Sequence, residues 1–139
     1  MTDIPHVPVS WGELLDKITI LELKRDRIGD AGALANVARE LDLLRTIAAS
    51  VSGHVAPLVE RLRGVNAALW DVEDAIRQEE AADRFGVEFV ALARAVYTRN
   101  DERAAIKRAI ADGSFPILPS TIADRLLALR LEWAPNGEA

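Results

Sequence analysis

The chain has 139 residues, half of them hydrophobic, and a net charge of −5. That length suits a single domain with one core. The lack of cysteine excludes thiolate zinc sites, disulfides, iron–sulfur clusters and cysteine nucleophiles, and an acidic balance with no basic run gives no footprint for nucleic acid.

Glycine, proline and aromatic residues are sparse, while alanine, leucine, arginine and glutamate dominate, which favours helices over strands. The opening Ile4-Pro5-His6-Val7-Pro8-Val9 is expected to be an extended arm, because proline restricts itself and the residue before it. Ser10 and Glu13 form an S-x-x-E capping box, with Val9 and Leu14 placed as a hydrophobic staple. The first helix is expected from there to Ile28, with a seam of Trp11, Leu14, Ile18, Leu21, Arg25 and Ile28. Ile20 and Leu23 lie on its other side, so it is read as the central helix. A second helix is expected from Ala31 to about Val51, on a stripe through Leu34, Val37, Leu41 and Leu44, stopped by Ser52-Gly53. The third starts near Val55, with Pro57 tolerated in its first turn, and runs to about Ala81. Asp83 to Gly86 turns the chain, and a fourth helix follows from Val87 to about Ala111. Ser120 or Thr121 caps a last helix through Trp133, and residues 134–139 form a frayed tail.

The fold class is therefore all-α: a compact bundle of four long helices plus a shorter C-terminal helix, in one domain spanning 1–139. His6 and His54 lie far apart beside prolines or glycine, so a histidine metal site is not expected. No apolar run approaches membrane length and no signal-peptide pattern opens the chain. The expectation is a cytoplasmic protein that engages neither membrane nor nucleic acid.

Two helices carry polar groups where apolar ones are expected. The third has the stripe Leu58, Leu62, Val65, Leu69, Val72, Ile76, and one position further round it repeats the spacing with Asn66, Trp70, Glu73 and Arg77. The fourth has Phe85, Phe89, Leu92 and Val96, then Ile106 and Ile110, interrupted by Asn100, Arg103 and Lys107 with Tyr97 and Asp101 flanking. Glu73 or Asp74 is the natural partner for Arg103, since consecutive antiparallel helices are neighbours. On the first helix Glu22 sits at the edge of the buried stripe, whereas Asp16, Lys17, Thr19, Lys24 and Asp26 read as a charged surface.

These groups admit a structural ion-pair seam, a pocket or a subunit interface. The leading functional expectation is a binding or accessory module for a small anionic ligand, such as a phosphorylated metabolite or a sugar nucleotide. Arg103, Lys107 and Arg77 would contact the anion, Trp70 and Tyr97 would wall it, and Asn66, Asn100 and Glu73 would orient it. That reading needs no cofactor. The competing expectation is an enzyme in which Glu22, Glu73 and Asp74 hold Mg²⁺ or Mn²⁺. A third is a helical interaction domain, dimerising through the second and last helices. All-α nucleotide pyrophosphohydrolases use E-E-x-x-E followed by E-x-x-D; here Glu79-Glu80 precedes Asp83 at a helix end and no E-x-x-D follows. The all-α chorismate mutases bind a dianion with Arg and Lys, but their spacing does not match. No glycine-rich phosphate loop and no G-x-S-x-G is present.

Three segments carry a resemblance: Pro8 to Lys24, through Val9-Ser10-Trp11-Gly12-Glu13-Leu14 and Asp16-Lys17-Ile18-Thr19-Ile20-Leu21-Glu22; Asn66 to Arg77, around Leu69-Trp70-Asp71-Val72-Glu73-Asp74-Ala75-Ile76-Arg77; and Phe85-Gly86 to Lys107, through Leu92-Ala93-Arg94-Ala95-Val96-Tyr97 and Asn100-Asp101-Glu102-Arg103. Together these resemble an uncharacterised bacterial family of short all-α proteins, a domain of unknown function. The resemblance implies a setting near glycosyltransferases and TPR proteins, hence a link to glycosylation. It brings no reaction and no catalytic assignment.

Overall fold

The computed structural model describes residues 5–51 and 53–112. The described chain holds four α-helices and no strand. The expected C-terminal helix and tail lie outside the described residues.

Helix α1 spans Trp11–Arg27, and the Ser10 hydroxyl accepts from the Glu13 N–H at 3.2 Å. Glu13 does not return the bond expected of a capping box; its carboxylate goes to Lys107 Nζ at 2.8 Å. Three basic residues in the last turn suit the negative end of the helix dipole. Helix α2, Ala31–Ala48, begins on a cap the sequence reading passed over: Asp30 Oδ2 accepts from the Ala33 N–H at 2.8 Å. It stops three residues short of Val51, whose N–H closes a turn onto the Ala48 carbonyl.

A single 3₁₀ turn, Gly53–Val55, leads into helix α3, Ala56–Ala81. Helix α4 is Val87–Asp112. The turn between them works without glycine at its left-handed position. Asp83 holds φ 59°, and the Arg84 N–H returns to the Glu79 carbonyl at 2.9 Å. The Arg84 side chain then grips the Glu79 carboxylate.

Helices α3 and α4 form a long hairpin, and α1 packs against each of the other three helices, as its two-sided apolar pattern predicts. The core joins Leu14, Leu15, Ile18 and Leu21 of α1, Val37 and Leu41 of α2, Leu58, Leu62, Val65 and Leu69 of α3, and Ile106 and Ile110 of α4. It sits at one end of the hairpin only. The 17 residues of α1 span about 25 Å, against about 39 Å for each 26-residue hairpin helix, so α1 cannot cover the hairpin's whole length.

Two features of α1 correct the sequence reading. Trp11 and Arg25, placed on its seam, are exposed. Asp16 and Thr19, read as surface, are buried. The reason is a second buried line, Gly12, Asp16, Thr19 and Leu23, at four-three-four spacing. It exists because α1 meets α4 at Gly12, where a Cβ would stand 2.1 Å from the Lys107 carbonyl oxygen. Only a residue without a side chain lets the two backbones come that close.

Candidate functional site

The buried line on α1 carries the centre of the polar cluster. Asp16 is 3 % exposed. Its Oδ1 accepts from Asn66 Nδ2 and from Arg103 Nε, each at 2.9 Å, and its Oδ2 accepts from Arg103 Nη2 at 2.5 Å. The guanidinium thus grips the carboxylate with two parallel bonds, the strongest geometry for this pair. Lys107 Nζ stands 3.8 Å from the same Oδ2 and bonds Glu13 at 2.8 Å. Asn66 Nδ2 also donates to Thr19 Oγ1, and that hydroxyl donates to the Asp16 backbone carbonyl at 2.7 Å. Asn100 Oδ1 accepts from Arg103 at 3.5 Å, a long bond at the edge of the cluster. Helices α1, α3 and α4 each contribute, as the polar stripes of the sequence imply.

Burial pushes the Asp16 carboxyl upward, but the bonds from Arg103 and Asn66 and the charges of Arg103 and Lys107 outweigh it, so it is held below the usual carboxylate range. The Asp16 bond raises Arg103 further still. Two carboxylates face two cations here, and the centre is charge-compensated. Arg103 finds its partner on α1, not in Glu73 or Asp74 as expected. Glu73 is near enough for its charge to act on Arg103, yet it is exposed.

The other candidates spread outward from this centre. Trp70 is half-buried, with the Arg27 guanidinium 5.7 Å from its ring centroid; Arg27 also bonds Asp71 at 2.6 Å. Arg77 is exposed and, among the described residues, pairs with Asp74 one turn back on its own helix, at 3.2 Å. Tyr97 is exposed. The structure therefore gathers Asn66, Asn100, Arg103 and Lys107 around Asp16, sets Trp70 and Glu73 at the border, and leaves Arg77 and Tyr97 outside.

Glu22 forms a second hub. Its two oxygens accept from Arg45 of α2 and Arg63 of α3, each at 2.8 Å, and Arg63 also pairs with Glu60. Burial raises the Glu22 carboxyl, and the two arginines more than offset that, leaving it lowered. Glu22, Glu73 and Asp74 do not come together, and the described residues hold no group of three or more His, Cys, Asp or Glu that could hold a metal ion.

On the far side of Asp16 and Arg103 opens a groove of about 1190 Å³, floored by Leu14 and Ile20 of α1 and walled by the extended arm and by Leu43, Leu44 and Ile47 of α2. Lys17 and Glu40 pair at 2.7 Å within it, and Arg39 bonds Asn36. Sequence reasoning missed Asp16 and Thr19. The signal was present in the spacing from Gly12 through Leu23, which continues the apolar Leu23 with two polar groups and a glycine.

No described helix is long and apolar enough to cross a membrane. No curated protein and no solved structure matches this chain. The buried centre and the hairpin that carries it lie within residues 5–118, which match a family model, and the chain belongs to that family, described as a family of unknown function (DUF6165).

Proposed function

We propose that this chain is a protein-interaction module whose α3–α4 hairpin is the docking element. One observation carries the reading. Not one residue from Trp70 to Ala104, all of them described, is buried. Yet that stretch holds Val72, Ile76, Phe85, Val87, Phe89, Val90, Leu92, Val96 and Tyr97. Phe85 and Phe89 meet edge to face, 5.3 Å between ring centroids, and Phe85 stays exposed. An exposed apolar surface on a projecting element marks a contact site. Trp, Tyr and Arg, present here as Trp70, Tyr97, Arg77 and Arg94, are the residue types that anchor interfaces. The charge-compensated centre around Asp16 supports the same view, because it spends its cations internally and locks the base of the arm.

The test is a photo-crosslinking amino acid placed at Val87, Val90 or Tyr97, with the exposed Asp42 of α2 as control. Crosslinked product from the arm positions and none from Asp42 is expected. Absence of product at every arm position would sink the reading. As part of the same proposal, the partner set implied by the resemblance is a bacterial, cytoplasmic one, glycosyltransferases and TPR proteins included.

A second reading keeps the small anionic ligand. It is supported by the groove beside Arg103, into which Arg39 turns without a carboxylate partner among the described residues. A thermal-shift panel of nucleotides, sugar nucleotides and phosphorylated metabolites tests it. A ligand at about 100 times its dissociation constant adds about 2.7 kcal/mol, and a shift abolished by Arg39→Ala supports this reading while a flat panel removes it.

A further inference from the structure

Exposed apolar side chains gather at one groove: Val7 and Val9 ahead of α1, Trp11 at its start, and Leu43 and Ile47 of α2. Each is between 44 % and 71 % exposed. Arg103 of α4 borders the groove on the other side. The rim is not charge-balanced. Lys17 pairs with Glu40, whereas Arg39 bonds the neutral Asn36 and has no carboxylate partner among the described residues. Such a trough suits the apolar face of a helix that carries an acid beside that face. The fold also delivers chain to its mouth. Gly12 against Lys107 and Asp16 against Arg103 make α1 and α4 antiparallel. Asp112, the last residue of α4, therefore lies about 7.5 Å beyond Lys107, beside the residues that lead into α1.

We infer that residues 121–133 of this same chain dock in the groove as a helix. Ile122, Leu126, Leu129 and Trp133 recur at four-three-four spacing. At about 100° per residue they fall within about 60° of one another, a single narrow face. Thirteen helical residues span about 20 Å, and the α2 wall from Asn36 to Ile47 spans about 18 Å, so the lengths match. Residues 113–120 can reach about 26 Å, ample for the connection. Helix α2 turns back along α1 after three residues, which sets Ile47 at the mouth and Asn36 and Arg39 at the far end. The segment enters at the mouth, so its last turn arrives beside Arg39. Glu132 stands there about 90° round from the apolar line, as e and g residues flank a coiled-coil seam, and supplies the carboxylate that Arg39 lacks. The tether chooses the chain's own segment over any free helix, because a short connection holds it at an effective concentration of about millimolar. The inference does not rest on the role of the hairpin. It makes the segment and the small ligand of the second reading rivals for one groove.

A photo-crosslinking amino acid at Leu43, and separately at Ile47, in the full chain reads the occupant, with the exposed Asp42, outside the groove lining, as control. The expected product has the mass of one chain and joins positions 43 and 47 to peptides from 121–133, with no such link from position 42. Leu126→Asp with Leu129→Asp abolishes it. Arg39→Glu lowers its yield about two- to fivefold, the scale of a surface ion pair, and Arg39→Glu with Glu132→Arg restores it. Melting followed by circular dichroism checks that the four helices stay folded in each variant. A wild-type link to any other segment, or none from either position, overturns the inference. So does a link to 121–133 found only at twice the chain mass, which would make the occupant a second copy's segment. A link that survives Leu126→Asp with Leu129→Asp overturns it as well, since nearness without apolar docking would then explain it.

Discussion

Gly12 and Asp16 stand one turn apart on α1 and set how closely α1 and α4 approach. Gly12→Ala places a methyl group 2.1 Å from the Lys107 carbonyl oxygen, which is backbone and cannot rotate away. The helices must part, and the Arg103–Asp16 and Lys107–Glu13 bonds stretch with them. Alanine is the better helix former by roughly 1 kcal/mol, so propensity alone predicts a gain. The expected outcome of denaturant unfolding is instead a loss of about 2–3 kcal/mol, the scale of overpacking plus disrupted polar bonds. Unchanged stability would mean that α1 does not seat on α4 as described. This close contact was not legible in the sequence. A glycine two residues into a helix reads as a weak propensity defect, and nothing local reveals the facing backbone. The burial of Asp16 was hidden for a related reason. A lone Asp beside Lys17 resembles surface until the helix is known to be covered on both sides. The stripes Asn66–Trp70 and Asn100–Arg103–Lys107 were legible because each interrupts a long apolar run on a single helix.

At the scale of elements, the helix boundaries followed from local chemistry. Ser10 caps α1, Pro57 sits in the first turn of α3, and the reversal at 83–86 falls where the sequence places it. Asymmetry along the hairpin did not follow. The stripe from Leu58 to Ile76 has one unbroken spacing, yet Leu58 and Leu62 lose all exposure while Val72 and Ile76 keep part of theirs. Periodicity reports which face of a helix turns inward, not how many layers lie beyond it. The hairpin therefore has a three-helix base and a two-helix arm with unequal local stability. Leu62→Ala should cost about 3–5 kcal/mol, the range for a fully enclosed leucine. Leu92→Ala, half-buried in the arm, should cost about 1–1.5 kcal/mol, because its site already opens to water. Hydrogen exchange should give the same ordering: amides near Leu92 and Ile76 should exchange well before those near Leu62 and Ile106. Uniform protection along both helices would contradict a two-layer arm.

Over the whole molecule, the two hubs act together on the response to acid. Asp16 ties α1 to α3 and α4, and Glu22 ties α1 to α2 and α3. Both carboxyls are held below their ordinary values by arginines that outweigh the cost of burial. A group whose pKa is lowered by folding binds its proton more readily in the unfolded chain. Its stabilisation is complete above the unfolded carboxyl pKa of about 4 and drains away as pH falls through that value toward the folded one. Urea midpoints should accordingly hold steady from neutrality to about pH 5 and decline below it. Arg103 and Arg63 are raised in the fold and stay charged across that window, so they add no slope of their own. Asp16→Asn keeps the shape but removes the charge, and it leaves the Arg103 guanidinium half-buried without its anion. The variant should be less stable at neutral pH and should lose less on acidification, so its midpoint curve converges on the wild type below about pH 4. Parallel curves across the whole range would show that Asp16 has the same proton affinity folded and unfolded, and the bidentate bond to Arg103 would then carry none of the coupling between α1 and the hairpin.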